Sequence, residues 1–229
     1  MEPSYLQWLL FGVYPYVALA VFVVGSIVRF DREQYTWKSD SSQLLRRSQL
    51  RWGSNLFHIG IIGIFFGHLV GLLTPLAVWH AIGLSAPAKQ MLAMVAGGAA
   101  GLACLAGLVL LTHRRITDPR IRATSRTSDM VVLVLLLAQL VLGLFSITIS
   151  AQHRDGGEML KLMAYVQSIV LFRPGAAALV ADVHPVFRAH LLLGFTLFLI
   201  FPFTRLVHIW SGFATLYYLV RPYQVVRSR

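Results

Sequence analysis

Cysteine is almost missing from this chain: 229 residues contain one, Cys104, in the middle of an apolar run. That excludes an internal disulfide and a Cys-ligated cluster built by this chain alone, so any iron-sulfur chemistry belongs to a partner. Charge is scarce as well. Only 13% of residues are charged against 57% hydrophobic, a balance that excludes an ordinary soluble domain. Acidic residues are the rarest, nine against twenty Lys and Arg, which leaves a net charge of +11. Such a charge invites a nucleic-acid partner, but the cations lie in short loops between apolar runs, with no basic groove and no aromatic-basic interleaving. The pattern argues against nucleic acid and reads as membrane topology. The N-terminus has no positive residue before its first apolar run. Ala18-Leu19-Ala20 would pass for a cleavage motif, but the run continues to Val28, so an uncleaved first span is expected.

What the chain does have is apolar length. Five runs, 6–28, 56–73, 91–111, 130–149 and 186–209, approach the ~20 residues that cross a bilayer. The expected fold is all-α: a polytopic membrane protein with five transmembrane helices in one domain over 1–229, ending in a tail, 210–229. Tyr14-Pro15-Tyr16 predicts a kink or a fold in the first turns of the first span. Leu76 to Ala88 reads as a loop with little charge. In the long connection from Ser150 to Pro185, Met159 to Phe172 is mostly apolar but interrupted by Lys161 and Gln167, which predicts an interfacial helix. The first and third loops and the tail carry fourteen Lys and Arg; the other side has five, Lys89, Arg154, Lys161, Arg173 and Arg188. That excess predicts an N-terminus outside and a C-terminus in the cytoplasm.

Ionisable groups inside membrane spans are costly, and each is a candidate functional residue. The second span carries His58 and His68, the fifth His190 and His208. Eighteen residues, five whole turns, place the last two on one helix face about 27 Å apart. The second and fifth spans run antiparallel, so His58 meets His208 in depth toward the cytoplasm and His68 meets His190 toward the outside. Two pairs at matching depths suit two stacked bis-histidine haems; a proton relay or transporter site is the competing reading. One feature fits poorly. The ten residues between His58 and His68 rise only about 15 Å, so the two helices cannot both be straight and upright. Pro202 leaves the carbonyl of Phe198 without its usual partner and offers a kink.

Smaller signals surround these four. Gly60, Gly63, Gly67 and Gly71 make a smooth strip along the second span, suited to a close helix neighbour or to a flat macrocycle. Gly97, Gly98 and Gly101 read as plain helix packing. Lys89 stands where the third span enters the membrane from outside, as an interfacial anchor or as a donor to a quinone carbonyl. Arg205, one turn before His208, Arg188, two residues before His190, and Arg114 and Arg115, at the end of the third span, are candidates for anionic haem propionates. His80, His113, His153 and His184 sit in loops or at helix ends, where no cofactor role is expected.

With these residues in view, the chain resembles the gamma subunits of respiratory nitrate reductase, a family of membrane cytochromes b. The likeness rests on Tyr14-Pro15-Tyr16, Gln34 to Gln43 (QYTWKSDSSQ), Ser54 to Pro75 (SNLFHIGIIGIFFGHLVGLLTP), Lys89-Gln90, Ala96-Gly97-Gly98, Pro119 to Thr124 (PRIRAT), Ser150 to His153 (SAQH) and Phe187 to Ser211. Leu76 to Pro87 and Phe172 to Pro185 depart from the family's pattern.

The resemblance implies five transmembrane helices in the bacterial cytoplasmic (inner) membrane, two haem b groups and anaerobic respiration on nitrate. By family pattern His68 and His190 would bind the outer, distal haem, and His58 and His208 the proximal haem. Lys89 matches the family's quinol-site lysine, with Gly67 and His68 at the same pocket, and menaquinol or ubiquinol as substrate. Electrons would pass to an iron-sulfur beta subunit and a molybdenum-containing alpha subunit docked on the cytoplasmic face through the arginine-rich loops and the tail from Tyr217 to Arg229. Two alternatives stay open: the cytochrome b subunit of another quinone-linked complex, such as a heterodisulfide-reductase-like one, and a haem-free transporter or anchor that uses its histidines for protons.

Overall fold

A computed structural model describes residues 3–33 and 47–211. The QYTWKSDSSQ stretch, Lys38, Arg46, and the tail from residue 212 with its three arginines lie outside the described residues. Every described regular element is a helix: α1 (Tyr5–Trp8), α2 (Tyr14–Arg32), α3 (Arg47–Leu73), α4 (Leu76–Ala81), α5 (Ala86–Thr117), α6 (Pro119–Ala123), α7 (Thr127–Ser150), α8 (Gly157–Val170) and α9 (Pro185–Ile200). Five segments are long and apolar enough to cross a membrane: Tyr5–Arg32, Ser48–Leu73, Ala86–Thr117, Thr127–Ser150 and Pro185–Phe203. The all-α, five-span fold expected from the runs is the one observed. In hydrocarbon, backbone N–H and C=O groups find partners only within the chain, and a helix pairs them internally.

The first span is not one uniform helix. A π-helical stretch, Leu9–Val13, joins α1 to α2 just before Pro15. Proline has no N–H, so the carbonyl four residues back, at Phe11, loses its helical donor. The hydroxyl of Tyr165, wholly buried on α8, donates to that carbonyl at 3.0 Å. The break in α1/α2 is therefore also the anchor of α8, whose Met163, Tyr165, Ser168 and Ile169 are buried. With 14 residues, α8 packs across one end of the bundle instead of spanning it. The loop expected from Leu76 to Ala88 is partly helical: α4 occupies Leu76–Ala81, and α5 already starts at Ala86, capped by the Ser85 hydroxyl.

The fifth span corrects the expectation of a continuous helix with five whole turns between His190 and His208. The α-helix stops at Ile200, and two 3-10 turns follow, Phe201–Phe203 and Arg205–Val207. The amide of Phe201 donates to the Phe198 carbonyl that Pro202 leaves free, which tightens the chain there. Arg29 of α2 then donates through Nη1 to the carbonyls of Pro202 (2.6 Å) and Thr204 (2.9 Å). This break removes the mismatch between an eighteen-residue and a ten-residue separation. Because residues 201–207 do not follow the α-helical path, His208 need not lie 27 Å along a straight axis from His190.

The tightest seam is α3 against α5. A Cβ at Gly60 would collide with the backbone nitrogen of Cys104 and lie 2.6 Å from the Ala100 carbonyl oxygen. A Cβ at Gly107 would collide with the Phe57 backbone nitrogen and lie 2.7 Å from the Gly53 oxygen. Glycine at both positions lets two backbones touch, which in lipid replaces the hydrophobic drive between helices. The strip of four glycines splits in use. Gly60 and Gly63 face α5, whereas Gly67 and Gly71 have nothing within 4 Å of where a Cβ would stand. Of the third-span glycines, Gly101 packs against Leu144; Gly97 faces open space, so plain packing does not account for it.

Candidate functional site

Four histidines meet in two pairs between α3 and the fifth span. His58 and His208 have ring centroids 6.3 Å apart with planes at 75°; His68 and His190 are 6.1 Å apart at 37°. Three of the four rings are held by their own backbone. His58 Nδ1 lies 2.7 Å from the Ser54 carbonyl and 3.2 Å from the Ser54 hydroxyl. His68 Nδ1 lies 2.8 Å from the Ile64 carbonyl, and His208 Nδ1 lies 2.6 Å from the Arg205 carbonyl. A carbonyl only accepts, so each of these Nδ1 atoms carries the proton and the Nε2 lone pair is left for a ligand. Among the described residues no three His, Cys, Asp or Glu side chains converge as a metal-binding group. A metal between either pair would take two protein donors and need the rest of its coordination from elsewhere.

The two pairs sit in different surroundings. Near the first are cations and one carboxylate. Asp129, at the first turn of α7, has its Oδ2 3.1 Å from Arg115 Nη1 and 3.8 Å from Arg205 Nη1, and the Asp129 side chain is 9% exposed. Arg114 is buried beside them in sequence, 3% exposed. These three arginines and His208 thus mark one end of the bundle, and Asp129, which the sequence reading passed over, ties two of them together. Its signal was present: it is the single acidic residue in the first turn of the most apolar span.

At the other end stands Lys89, 3% exposed, far from the picture of a side chain reaching into water. Its Nζ donates to the Gly71 carbonyl at 2.8 Å and contacts Met163 Sδ at 3.1 Å and Met159 Sδ at 3.5 Å, with the Trp79 ring centroid at 5.3 Å. Neighbouring Gln90 is held too, its amide donating to the carbonyls of Ser150 and His153. Gly67, adjacent to His68, borders open space. Arg188 is not drawn toward His190. Its guanidinium turns to the Ala181 carbonyl at 3.5 Å and lines a surface pocket with Glu158, Asp182 and His184. His184 caps α9, accepting from the Val186 amide, and His113 contacts Gln49. Met159, Met163 and Trp79 were not legible as site residues, because α4 and α8 lie in the stretches where the chain's pattern is least regular.

Outside the spans, one ion pair fixes the α8 side of the bundle. Lys161 Nζ lies 2.7 Å from Asp182 Oδ2, and this hydrogen bond raises the lysine pKa and lowers that of the aspartate.

Comparison with known proteins agrees along nearly the whole chain. The family model "Nitrate reductase gamma subunit" matches residues 7–229. The chain is 52% identical to the respiratory nitrate reductase 1 gamma chain of Escherichia coli and 51% identical to the respiratory nitrate reductase 2 gamma chain of the same organism, with 99% of each chain covered. It is 38% identical to the nitrate reductase gamma chain of Bacillus subtilis, over 96% of this chain and 98% of that one. With five membrane-spanning helices and full-length identity of this order, the chain belongs to the nitrate reductase gamma subunit family, as a multi-pass inner-membrane subunit of an oxidoreductase complex.

Proposed function

We propose that the chain is a single transmembrane cytochrome b domain that takes electrons from quinol at its outer side and delivers them toward partner subunits on the cytoplasmic face. The observation that carries this reading is the spacing of the two histidine pairs. Two imidazoles sharing one metal need nitrogen-metal bonds of about 2.0 Å each and ring radii of about 1.2 Å, so their centroids stand at most about 6.4 Å apart. The pairs stand at 6.3 and 6.1 Å. With only two protein donors per site, each pair would need a group that brings its own further donors, and haem b is the group this family membership suggests. The donor set fits: three of the four imidazoles have Nδ1 on a carbonyl, the arrangement that leaves Nε2 to an iron.

His58 and His208 would hold one haem b and His68 and His190 the other; when bound, the two groups supply a one-electron relay across the membrane. Arg205, Arg114 and Arg115 offer positive charge to propionates at the first pair. For the second pair the structure turns Arg188 elsewhere. Lys89 would bind the quinol oxygen near His68 and Gly67. Thioether sulfur is a weak acceptor, so the ammonium loses little in giving up Met159 and Met163 to an incoming oxygen. Gly67 leaves room beside His68 for a flat ring system. Quinol oxidised there releases its protons on the outer side while its electrons cross, which makes the reaction charge-separating. Orientation rests on the cation excess of the loops joining α2 to α3 and α5 to α7. The partners would be an iron-sulfur beta subunit and a molybdenum-containing alpha subunit, as membership of the nitrate reductase gamma subunit family suggests. Either menaquinol or ubiquinol meets the chemistry.

The test is a reduced-minus-oxidised visible spectrum of the purified chain with haem counted per polypeptide, repeated for His58→Ala and His190→Ala. Two low-spin b haems in the parent, with a different one lost in each variant, is the expected result. A folded, colourless protein would overturn the reading and leave a proton-conducting or purely anchoring role.

A further inference from the structure

His190 is the exception among the four rings. Its Nδ1 is buried and has no hydrogen-bond partner, although the other three rings place Nδ1 on a carbonyl of their own backbone. The polar neighbour of His190 comes from another helix. Gln139 of α7 donates through Nε2 to the His190 carbonyl at 3.1 Å; the same nitrogen lies 3.4 Å from the ring's Nε2, the atom an iron would take, so with iron bound the amide would hold the ring by packing and by its bond to the His190 backbone. The other end of that amide, Oε1, is also buried and without a partner. Two facing glycines make this contact possible. A Cβ at Gly143 would stand 3.0 Å from His190 Cε1, and a Cβ at Gly194 would stand 3.3 Å from Gln139 Nε2. On each helix the polar residue and the glycine are four apart and so share a face. The imidazole of α9 lies over Gly143 of α7, and the amide of α7 lies over Gly194 of α9.

We infer that Gln139, Gly143 and Gly194 form a socket between α7 and α9 that sets the orientation of the His190 ring, with Gln139 as its positioning residue. This rests on the proposed role of His190 as an axial ligand. The geometry gives the socket a task. His190 lacks the backbone carbonyl that fixes a ligand ring in the other three cases, and ring orientation follows from what holds the ring. The plane angle of this pair, 37° against 75° for the other, is the quantity the socket controls. The angle between two axial imidazole planes governs the orbital splitting of a low-spin ferric haem and hence its paramagnetic resonance signal, and hydrogen bonding around the ligands tunes the potential.

The experiment uses the haem-loaded chain in its membrane complex. Gln139→Met keeps side-chain length and apolar packing but removes both amide groups; Gly143→Ala pushes directly on the ring. The low-field resonance and midpoint potential of the haem at His68 and His190 should shift in both variants, more in Gly143→Ala, while those of the haem at His58 and His208 stay put. Gly194→Ala, which presses on the amide and not on the ring, should shift the same signal in the direction of Gln139→Met. The second haem is the internal control for folding. If both haem signals persist and neither moves in Gln139→Met or Gly143→Ala, the socket has no positioning role. If the parent shows no pair of haem signals, it is the cytochrome reading that fails, and the two failures are told apart in one spectrum.

Discussion

The two histidine pairs have nearly the same spacing, and they are supported in different ways. At His58 and His208 both rings hang from backbone carbonyls of their own segment, and the charged neighbours are Arg115, Arg205 and the Asp129 carboxylate between them. At His68 and His190 one ring does so and the other depends on α7, the nearby cation is Lys89, and open space borders Gly67. The difference follows from where each ring turns. His208 lies just past a 3-10 turn, where the Arg205 carbonyl three residues back accepts both the His208 amide and its ring Nδ1. His58, His68 and His190 all lie inside α-helices, but only His190 turns its ring away from its own backbone and into the α7 seam. Where a ring turns away from its own backbone, a neighbouring helix holds it, and here glycine on both sides makes that contact possible.

The largest expected effect separates the pairs by function. Lys89→Ala should keep both haems and leave the His58 and His208 end unchanged, while kcat/KM for quinol falls about 10- to 100-fold, the worth of one hydrogen bond from a charged donor. Steady-state quinol oxidation with haem content measured alongside checks it; unchanged oxidation would exclude Lys89 from the quinol site.

Next comes the opposite end. Asp129→Ala removes the carboxylate shared by the part-buried Arg115 and Arg205, and losing a charge-assisted contact of this kind costs about 1–2 kcal/mol. In a thermal melt followed by haem absorbance, the haem at His58 and His208 should be released at a lower temperature than in the parent, ahead of the one at His68 and His190. Simultaneous release would mean that the ion cluster supports the bundle as a whole and not that pair.

The glycine strip offers a sharper division. Gly60→Ala forces α3 and α5 apart and should destabilise by about 1–3 kcal/mol, as overpacking does. Gly67→Ala meets nothing in the protein and should leave chain stability unchanged, yet crowd the space beside His68 and so lower haem or quinol occupancy there. Equal loss of stability in the two variants would show that the strip is used uniformly for packing.

The smallest effect belongs to the Lys161 and Asp182 pair that ties α8 to the segment before α9. Because Asp182 has its pKa lowered by this bond, its contribution is present above the ordinary carboxylate range and is lost as pH falls through the lowered value, below about pH 4. Lys161, raised by the same bond, holds its contribution until pH rises through its own raised pKa, above about 10.5. Asp182→Asn should flatten the acid limb of a protease-susceptibility profile for α8 without touching either haem signal. Both groups are exposed, so the change should be slight and should shrink with salt.

Much of this molecule is legible in its sequence. Bilayer thickness sets the length of a span, and the lack of water inside it demands an internally bonded backbone, so runs such as 130–149 and 91–111 specify helices by composition and length alone. Ionisable residues are too costly in such runs to be incidental, which singled out the four histidines, and cation placement separated membrane topology from nucleic-acid binding. What only the tertiary structure decided is whatever depends on which helix faces which. A glycine reads alike at 60 and 67, yet one touches a backbone and the other borders open space. Gln139 was visible as the least apolar residue of its span, but its role depends on His190 lying across the seam. Asp129 gained its partners only when α5 and the end of the fifth span came beside α7. Pro202 announced a kink, but whether α9 bends or ends is settled by the Phe201 amide and by Arg29, which arrives from a span at the other end of the chain. Periodicity and hydropathy are properties of one segment, whereas a backbone contact, an ion cluster or a ring socket is a property of two, and one segment's pattern cannot encode the choice of its neighbour.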